Sequence, residues 1–219
     1  MILYHSVSAR SFRPLWTLEE FGVAYELVVL PFPPRVHAPD YLELNPLGTV
    51  PLFIDGGLRM TESAAICQYL AERFGDGVLA VAPGDSAYGT YLNFLAYGEA
   101  TLTFPQTLLL RYGRYEPEDR RAPQVVDDYT RWFFARLKGL ETALSGCSYL
   151  CGERFTAADI SVGYALMLAD YLRLSDSFKA NTKEYWRRLR ARPGFQRAAL
   201  AETEAAVRQG VAVTPAPLA

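Results

Sequence analysis

Strand-forming patterns occur only in the first third of this sequence, and this limits the folds that the chain can adopt. Short apolar runs bounded by turn residues predict β-strands at residues 2–4, 25–30, 50–54 and 58–60. Apolar positions at helical spacing predict helices between them, at residues 12–21, 40–44 and 63–74. The resulting order, βαβαββα, is that of an open α/β layer in which helices cover a small sheet.

The remainder of the sequence predicts helices only. Pro105 interrupts the first helical pattern after Ser86, and we expect a kink or a break there because proline lacks an N–H group. Later helices are predicted at residues 125–144, 157–172, 183–190 and 195–208. The sequence therefore predicts an α/β domain at residues 1–80, a glycine-rich linker, an all-helical bundle domain at residues 86–210 and an irregular tail at residues 211–219.

Charge and cysteine content exclude several classes of protein. The formal net charge is −2 over 219 residues, so no overall field attracts nucleic acid or an anionic membrane. Three cysteines and two histidines are too few for a disulfide framework or a standard zinc site, so we expect free thiols and no metal. No targeting segment and no run of membrane-spanning length is apparent. We therefore expect a cytoplasmic protein with no nucleic-acid or membrane partner.

The start of one helix in the second domain carries a specific signal. Thr156-Ala-Ala-Asp159 precedes an apolar helical pattern and has the spacing of a capping box, with Asp in place of the usual Glu. Phe155 stands where a hydrophobic staple would lie. We expect a helix to begin immediately after Thr156.

Several motifs in the right order resemble the cytosolic glutathione S-transferases. The resemblance covers most of the chain and is carried by Leu3-Tyr4, Arg10-Ser-Phe-Arg13 with Trp16 and Glu19-Glu20, the stretch from Asn45 to Asp55, Thr61 to Leu70, and Phe155-Thr-Ala-Ala-Asp-Ile160. It implies a thioredoxin-like first domain that holds glutathione, an all-α second domain that supplies a hydrophobic co-substrate pocket, and a homodimer. The implied activity is conjugation of the glutathione thiolate to hydrophobic electrophiles, a detoxification reaction.

The resemblance assigns the glutathione-binding residues. Val50 would pair with the cysteinyl main chain of an extended peptide at a strand edge, with Pro51 in cis, although a trans Pro51 that starts an edge strand explains the spacing equally well. Ser63 and Glu62 precede a helix, where a hydroxyl and a carboxylate would match the carboxylate and the ammonium of the γ-glutamyl group. An ordinary N-cap is the alternative for this pair.

His37 and Thr49 are weaker candidates, both for the glycyl carboxylate of glutathione. A solvated loop residue is the simpler interpretation of His37. All six binding candidates lie in the first domain.

Activation of the thiol is where the sequence departs from the family. Many serine-type transferases have a serine at the position that Ala9 occupies. Ser8 is the first candidate for the missing hydroxyl, Ser11 the second and Arg10 the third, because all three lie in the loop that leads to the first helix. Ser11 is equally well interpreted as the N-cap of that helix. Thiol activation is therefore predicted for this loop, with the group left open.

The co-substrate pocket is predicted on helical residues of the second domain: Tyr91, Leu95, Thr103, Leu110 and Tyr164. Apolar and aromatic residues at helical spacing are more often core than ligand contacts, so packing is the alternative. Two other functions remain open beside conjugation. One is another glutathione-dependent activity at the same site, such as an isomerase or a peroxidase. The other is a non-catalytic glutathione-binding or interaction protein, which Ala9 favours.

Overall fold

The computed structural model describes all 219 residues. The chain forms two compact units, and the first contains both ends of the chain. It comprises Met1–Ala80 and Arg190–Ala219, and the second unit comprises Val81–Leu189. The sequence-based division had assigned residues 190–210 to the helical domain, whereas their contacts lie with the N-terminal residues.

Four strands form one mixed sheet in the first unit: β1 (Ile2–His5), β2 (Glu26–Val29), β3 (Leu52–Asp55) and β4 (Leu58–Met60). Their spatial order is β2-β1-β3-β4, with β1 parallel to β2 and antiparallel to β3, and with β3 antiparallel to β4. This arrangement is a thioredoxin-like domain followed by a helical domain, so the predicted fold class is confirmed.

The chain contains ten α-helices: α1 (Phe12–Phe21), α2 (Pro34–His37), α3 (Tyr41–Leu44), α4 (Ser63–Phe74), α5 (Tyr88–Tyr97), α6 (Phe104–Leu110), α7 (Pro123–Ala143), α8 (Ala157–Tyr171), α9 (Ala180–Arg190) and α10 (Pro193–Arg208). The predicted order βαβαββα is confirmed, with the short helix α2 added before α3. Gly22 ends α1 in the left-handed conformation at φ 63°, and its N–H donates to the Leu18 carbonyl.

Alternation of side chains places a core on each face of the sheet. Leu3 is paired with Phe53, and both are fully buried on one face. Tyr4 is paired with Leu52 on the opposite face, where the ring of Tyr41 from α3 lies 5.5 Å from the Tyr4 ring. The two apolar faces hold the loops at the sheet ends in fixed positions.

Helix α10 packs on α1 through aromatic rings and ion pairs. The Phe195 ring lies 5.3 Å from Phe12 and 5.0 Å from Trp16, in edge-on contacts. The Arg192 guanidinium binds the Glu20 carboxylate at 2.8 Å. These contacts explain why the C-terminal segment belongs to the first unit, although it follows the second unit in the chain.

The second unit is built from helices α5 to α9. A π-helical turn at Gly98–Thr103 separates α5 from α6, and Pro105, where the sequence predicts a kink or a break, lies in the first turn of α6. Gly98 is required by close packing, because a Cβ atom there would lie 2.4 Å from the Ser161 Oγ of α8. The π-helical turn therefore begins at Gly98, where the backbone packs closely on α8, and ends just before the first turn of α6.

The capping box at the start of α8 is confirmed. The Asp159 carboxylate accepts the Thr156 main-chain N–H at 2.7 Å, the Leu150 N–H at 3.0 Å and the Tyr185 hydroxyl at 2.8 Å. Asp159 is fully buried, and burial raises its pKa to about 6. The capping residue thus also ties α8 to α9.

Candidate active site

The loop between β1 and α1 carries the predicted thiol-activating residues. Ser8 adopts the left-handed conformation at φ 57° and is 1% exposed. Its main-chain N–H donates to Glu202 Oε2 at 2.8 Å, and its hydroxyl donates to Glu202 Oε1 at 3.2 Å. His5 Nε2 lies 2.9 Å from the same Oε2. Glu202 of α10 therefore holds the conformation of this loop.

Ser11 occupies the N-cap position of α1, but its side chain does not cap the helix. The Ser11 hydroxyl instead accepts the main-chain N–H of Ser6 at 3.3 Å, which closes the loop on itself. Arg10 is partly exposed between the two serines. Ala9 is buried and offers no hydroxyl at this position.

Val50 and Pro51, which were predicted to lie in a strand, directly precede β3, which begins at Leu52. The Val50–Pro51 peptide bond is cis, as the resemblance implied. Val50 packs in one apolar cluster with Ala9, Tyr41 and Leu52. The carbonyl of Thr49, itself exposed, accepts hydrogen bonds from the Tyr41 hydroxyl and the Asn45 side chain, each at 2.8 Å. The turn before Pro51 is therefore held by Tyr41, the first residue of α3, and by Asn45, the residue that follows this helix.

The start of α4 combines three polar groups. Glu62 is the N-cap residue and is exposed, and its carboxylate makes no capping hydrogen bond. Ser63 is the first residue of the helix and is 3% exposed. The fully buried Arg13 of α1 donates from Nη1 to the Ser63 Oγ at 3.0 Å. A buried cation and the unpaired N–H groups of the helix start both favour an anion here.

His37 ends α2 and is exposed, and it borders a cavity that the residues described above do not line. This cavity measures about 270 Å³ and is lined by Val7, Leu30, Pro31, Phe32, His37, Val211, Ala212, Thr214 and Ala219. The tail that was predicted to be irregular packs here. The Ala216 N–H donates to the Val7 carbonyl at 2.7 Å, and Ala216 joins the cluster of Ala9 and Val50.

The structure thus brings some of the predicted residues together and leaves others apart. Ala9 and Val50 belong to the same apolar cluster, and Arg13, in the first turn after the loop, contacts Ser63. His37 shares its cavity with the C-terminal tail, not with these residues. Sequence reasoning named Arg13 within a family motif but gave neither Arg13 nor Glu202 a role in the site, because a buried charge on a helix has the same spacing pattern as a surface charge.

The remaining candidates behave as packing residues. All five predicted pocket residues of the second unit are buried. Cys67 is fully buried in α4, where burial raises its pKa to about 12, and burial also raises the pKa of Cys151. Cys147 is exposed, and none of the three cysteines forms a disulfide. All three are therefore free thiols, as the sequence predicts.

No cluster of three or more His, Cys, Asp or Glu side chains is arranged to hold a metal ion. None of the helices combines the length and the apolar character that crossing a bilayer requires.

Comparisons with known proteins agree on one family. The family model described as "Glutathione S-transferase, N-terminal domain" matches residues 1–72. The probable glutathione S-transferase GSTF2 of Oryza sativa subsp. japonica is 31% identical over 85% of this chain and 89% of its own length. Glutathione S-transferase GstA of Escherichia coli O157:H7 is 31% identical over 92% of this chain and 98% of its own.

Solved structures give the same result. BphK, a bacterial transferase solved as a ternary complex, superposes with a TM-score of 0.82 at 28% identity, covering 93% of this chain and 100% of BphK. A sphingomonad enzyme solved in complex with glutathione superposes with a TM-score of 0.80 at 25% identity, covering 93% of this chain and 99% of that protein.

Proposed function

Because the chain belongs to the glutathione S-transferase family and is a glutathione transferase, we propose that it conjugates the glutathione thiolate to hydrophobic electrophiles. The observation that carries this proposal is the start of α4, where Ser63 binds Arg13 and the Glu62 carboxylate makes no capping hydrogen bond to the helix. This arrangement offers an anion site and a carboxylate side by side. The γ-glutamyl group of glutathione carries the complementary pair of charges.

In this proposal the rest of the peptide lies along the segment of Val50 and Pro51 that leads into β3. Val50 pairs with the cysteinyl main chain, and the apolar cluster that Val50 shares with Ala9 would bring the sulfur near the loop after β1. Thr49 and His37 are kept as candidates for the glycyl carboxylate. His37 is the weaker of the two, because it lies beside the C-terminal tail.

Thiol activation in this proposal comes from the loop of Ser8, Arg10 and Ser11. A free thiol with a pKa of about 8.5 is mostly protonated at neutral pH. A hydroxyl donor, together with the N-terminus of α1, stabilises the thiolate and so lowers the pKa of the thiol. The bound thiolate then attacks the electrophilic carbon, and the leaving group departs with its electron pair.

We also propose a homodimer and a cytoplasmic detoxification role, both supported by the family resemblance. A glutathione-binding protein without catalysis is the second candidate. Ala9 favours it, and so does the Ser8 hydroxyl, whose proton is directed to Glu202. An isomerase or a peroxidase at the same site has no specific observation in its favour.

The test is an ultraviolet titration of glutathione bound to the purified protein between about pH 5 and pH 9, combined with conjugation of a reactive aryl halide. We expect a thiolate band well below pH 8.5 and measurable conjugation. Glutathione binding without either signal would support the non-catalytic candidate. Absence of glutathione binding would contradict both.

A further inference from the structure

A buried carboxylate joins α10 to the loop of the candidate active site, and the proposed function does not use it. Glu202 is 5% exposed and receives three hydrogen bonds, two from Ser8 of this loop and one from His5 at the end of β1. Oε2 accepts the Ser8 N–H and faces His5 Nε2, whereas Oε1 accepts the Ser8 hydroxyl. An ionised carboxylate can only accept, so the Ser8 proton points to Glu202.

This direction matters because a serine hydroxyl has one proton. A hydroxyl that donates to Glu202 can offer a thiolate only its lone pairs, which repel the sulfur. The Ser11 hydroxyl, in contrast, is an acceptor in its hydrogen bond with the protein. Its Oγ accepts the Ser6 N–H, which leaves the Ser11 proton for another acceptor.

The charges around Glu202 do not change this assignment. His5 is the titratable side chain in contact with it, and because a carboxylate only accepts, His5 Nε2 is the donor of this hydrogen bond. On the α1 face, Glu20 is paired with Arg192 and Glu19 with Arg197. Within the loop, Arg10 is partly exposed.

We propose that Glu202 is a positioning residue that withholds the Ser8 proton from the glutathione sulfur, so that Ser11 is the hydroxyl donor to the thiolate. This inference rests on the proposed function. The buried negative charge of Glu202 also opposes a thiolate beside Ser8. Both effects keep the pKa of bound glutathione higher than the same loop would set with a neutral residue at position 202.

Glu202→Gln should reverse the direction of the hydrogen bond between the Ser8 hydroxyl and residue 202, because glutamine has the shape of glutamate but carries an NH₂ donor. Two N–H donors, those of Ser8 and His5, converge on Oε2, so the amide oxygen takes that place. The amide NH₂ then lies at the position of Oε1, 3.2 Å from the Ser8 Oγ, and donates to it. The Ser8 proton is released towards the ligand.

The experiment measures the pKa of bound glutathione by its ultraviolet thiolate band, supported by the pH profile of kcat/KM. We expect Glu202→Gln to lower this pKa by about 1. The matched control is Glu204→Gln, an exposed carboxylate on the same helix paired with Arg208, which we expect to leave the pKa unchanged. In a Ser8→Ala background the lowering by Glu202→Gln should shrink, because no Ser8 proton remains to be released.

A merely structural role for Glu202 predicts the opposite sign. A loosened loop would return the pKa towards the free value, so an unchanged or raised pKa in folded, glutathione-binding Glu202→Gln protein overturns the proposal. If Glu202→Gln does not fold, Ser11→Ala and Ser8→Ala decide: we expect only Ser11→Ala to raise the pKa, and an equal or larger rise in Ser8→Ala overturns the proposal. Calorimetric titration of the unaltered protein with glutathione separates these outcomes, because failure to bind contradicts the proposed function itself.

Discussion

Ser63 is nearly inaccessible to solvent, yet its hydroxyl proton takes no part in its hydrogen bond with Arg13. Arg13 donates to the Ser63 oxygen, so the serine acts as an acceptor on the protein side and keeps its proton for a ligand. The sequence identified Ser63 from its place before a helix, but it gave Arg13 no role in the site. At the scale of single residues, the candidate site is therefore a set of oriented hydrogen bonds.

Replacing Ser63 by alanine should weaken glutathione binding without unfolding the protein. A hydrogen bond to a charged group contributes about 1.5–3 kcal/mol, so we expect KM for glutathione to rise at least about 10-fold, with the circular dichroism spectrum unchanged. Ser86→Ala, at an exposed serine outside the site, is the control. An unchanged KM in Ser63→Ala would remove this residue from the proposed site.

The three cysteines should differ in reactivity. Cys147 is exposed, whereas Cys67 is fully buried with its pKa raised to about 12, so almost none of its thiol is ionised at pH 8. We expect iodoacetamide to alkylate Cys147 first and to leave Cys67 unmodified in the folded protein, as read by peptide mass spectrometry. Rapid labelling of Cys67 under native conditions would contradict its buried placement.

Helix boundaries were the most predictable feature at the scale of elements. Helix α4 has the bounds expected from its apolar spacing, and α8 begins after Thr156, where the capping box predicts it. Local chemistry suffices in both cases, because caps and prolines act within one turn. The partners of Asp159 outside its own helix, among them Tyr185 of α9, depend on tertiary packing.

Stability should depend on pH through Asp159. Its pKa is raised to about 6 in the folded state against 3.8 in the unfolded chain, so the folded state binds the proton more tightly. The contribution is fully present below about pH 4 and is lost as pH rises through 6, a change of about 3 kcal/mol. The free energy of unfolding of the protein minus that of Asp159→Asn should therefore increase between pH 6 and pH 4 in urea titrations. A constant or decreasing difference would contradict this sign.

The C-terminal segment completes the first unit at the scale of the whole molecule. Helix α10 covers α1 with Phe195, binds Glu20 with Arg192 and anchors the loop through Glu202. The tail adds the hydrogen bond from Ala216 to Val7. An N-terminal fragment would expose all of these surfaces to water.

A fragment of residues 1–80 should consequently not fold on its own. We expect no cooperative thermal transition by circular dichroism, because the fragment lacks the segment Arg190–Ala219 that packs with it. The full chain, measured in the same buffer, is the reference. A sharp, reversible transition in the fragment would show that α10 is dispensable for this unit.

The cis bond before Pro51 was implied only by the family resemblance, because the local spacing fits a trans bond equally well. The sequence by itself determined the two element patterns, the order βαβαββα and the capping box at Thr156. Each of these depends on neighbours within a few residues or on a motif that can be read directly from the sequence. Only the tertiary structure placed Glu202 beside Ser8, because the two are separated by 194 residues and no local pattern links them. The same holds for the packing of the tail against Val7. Such long-range contacts decide which way a buried hydroxyl points, because a buried polar group must find a partner wherever the fold supplies one.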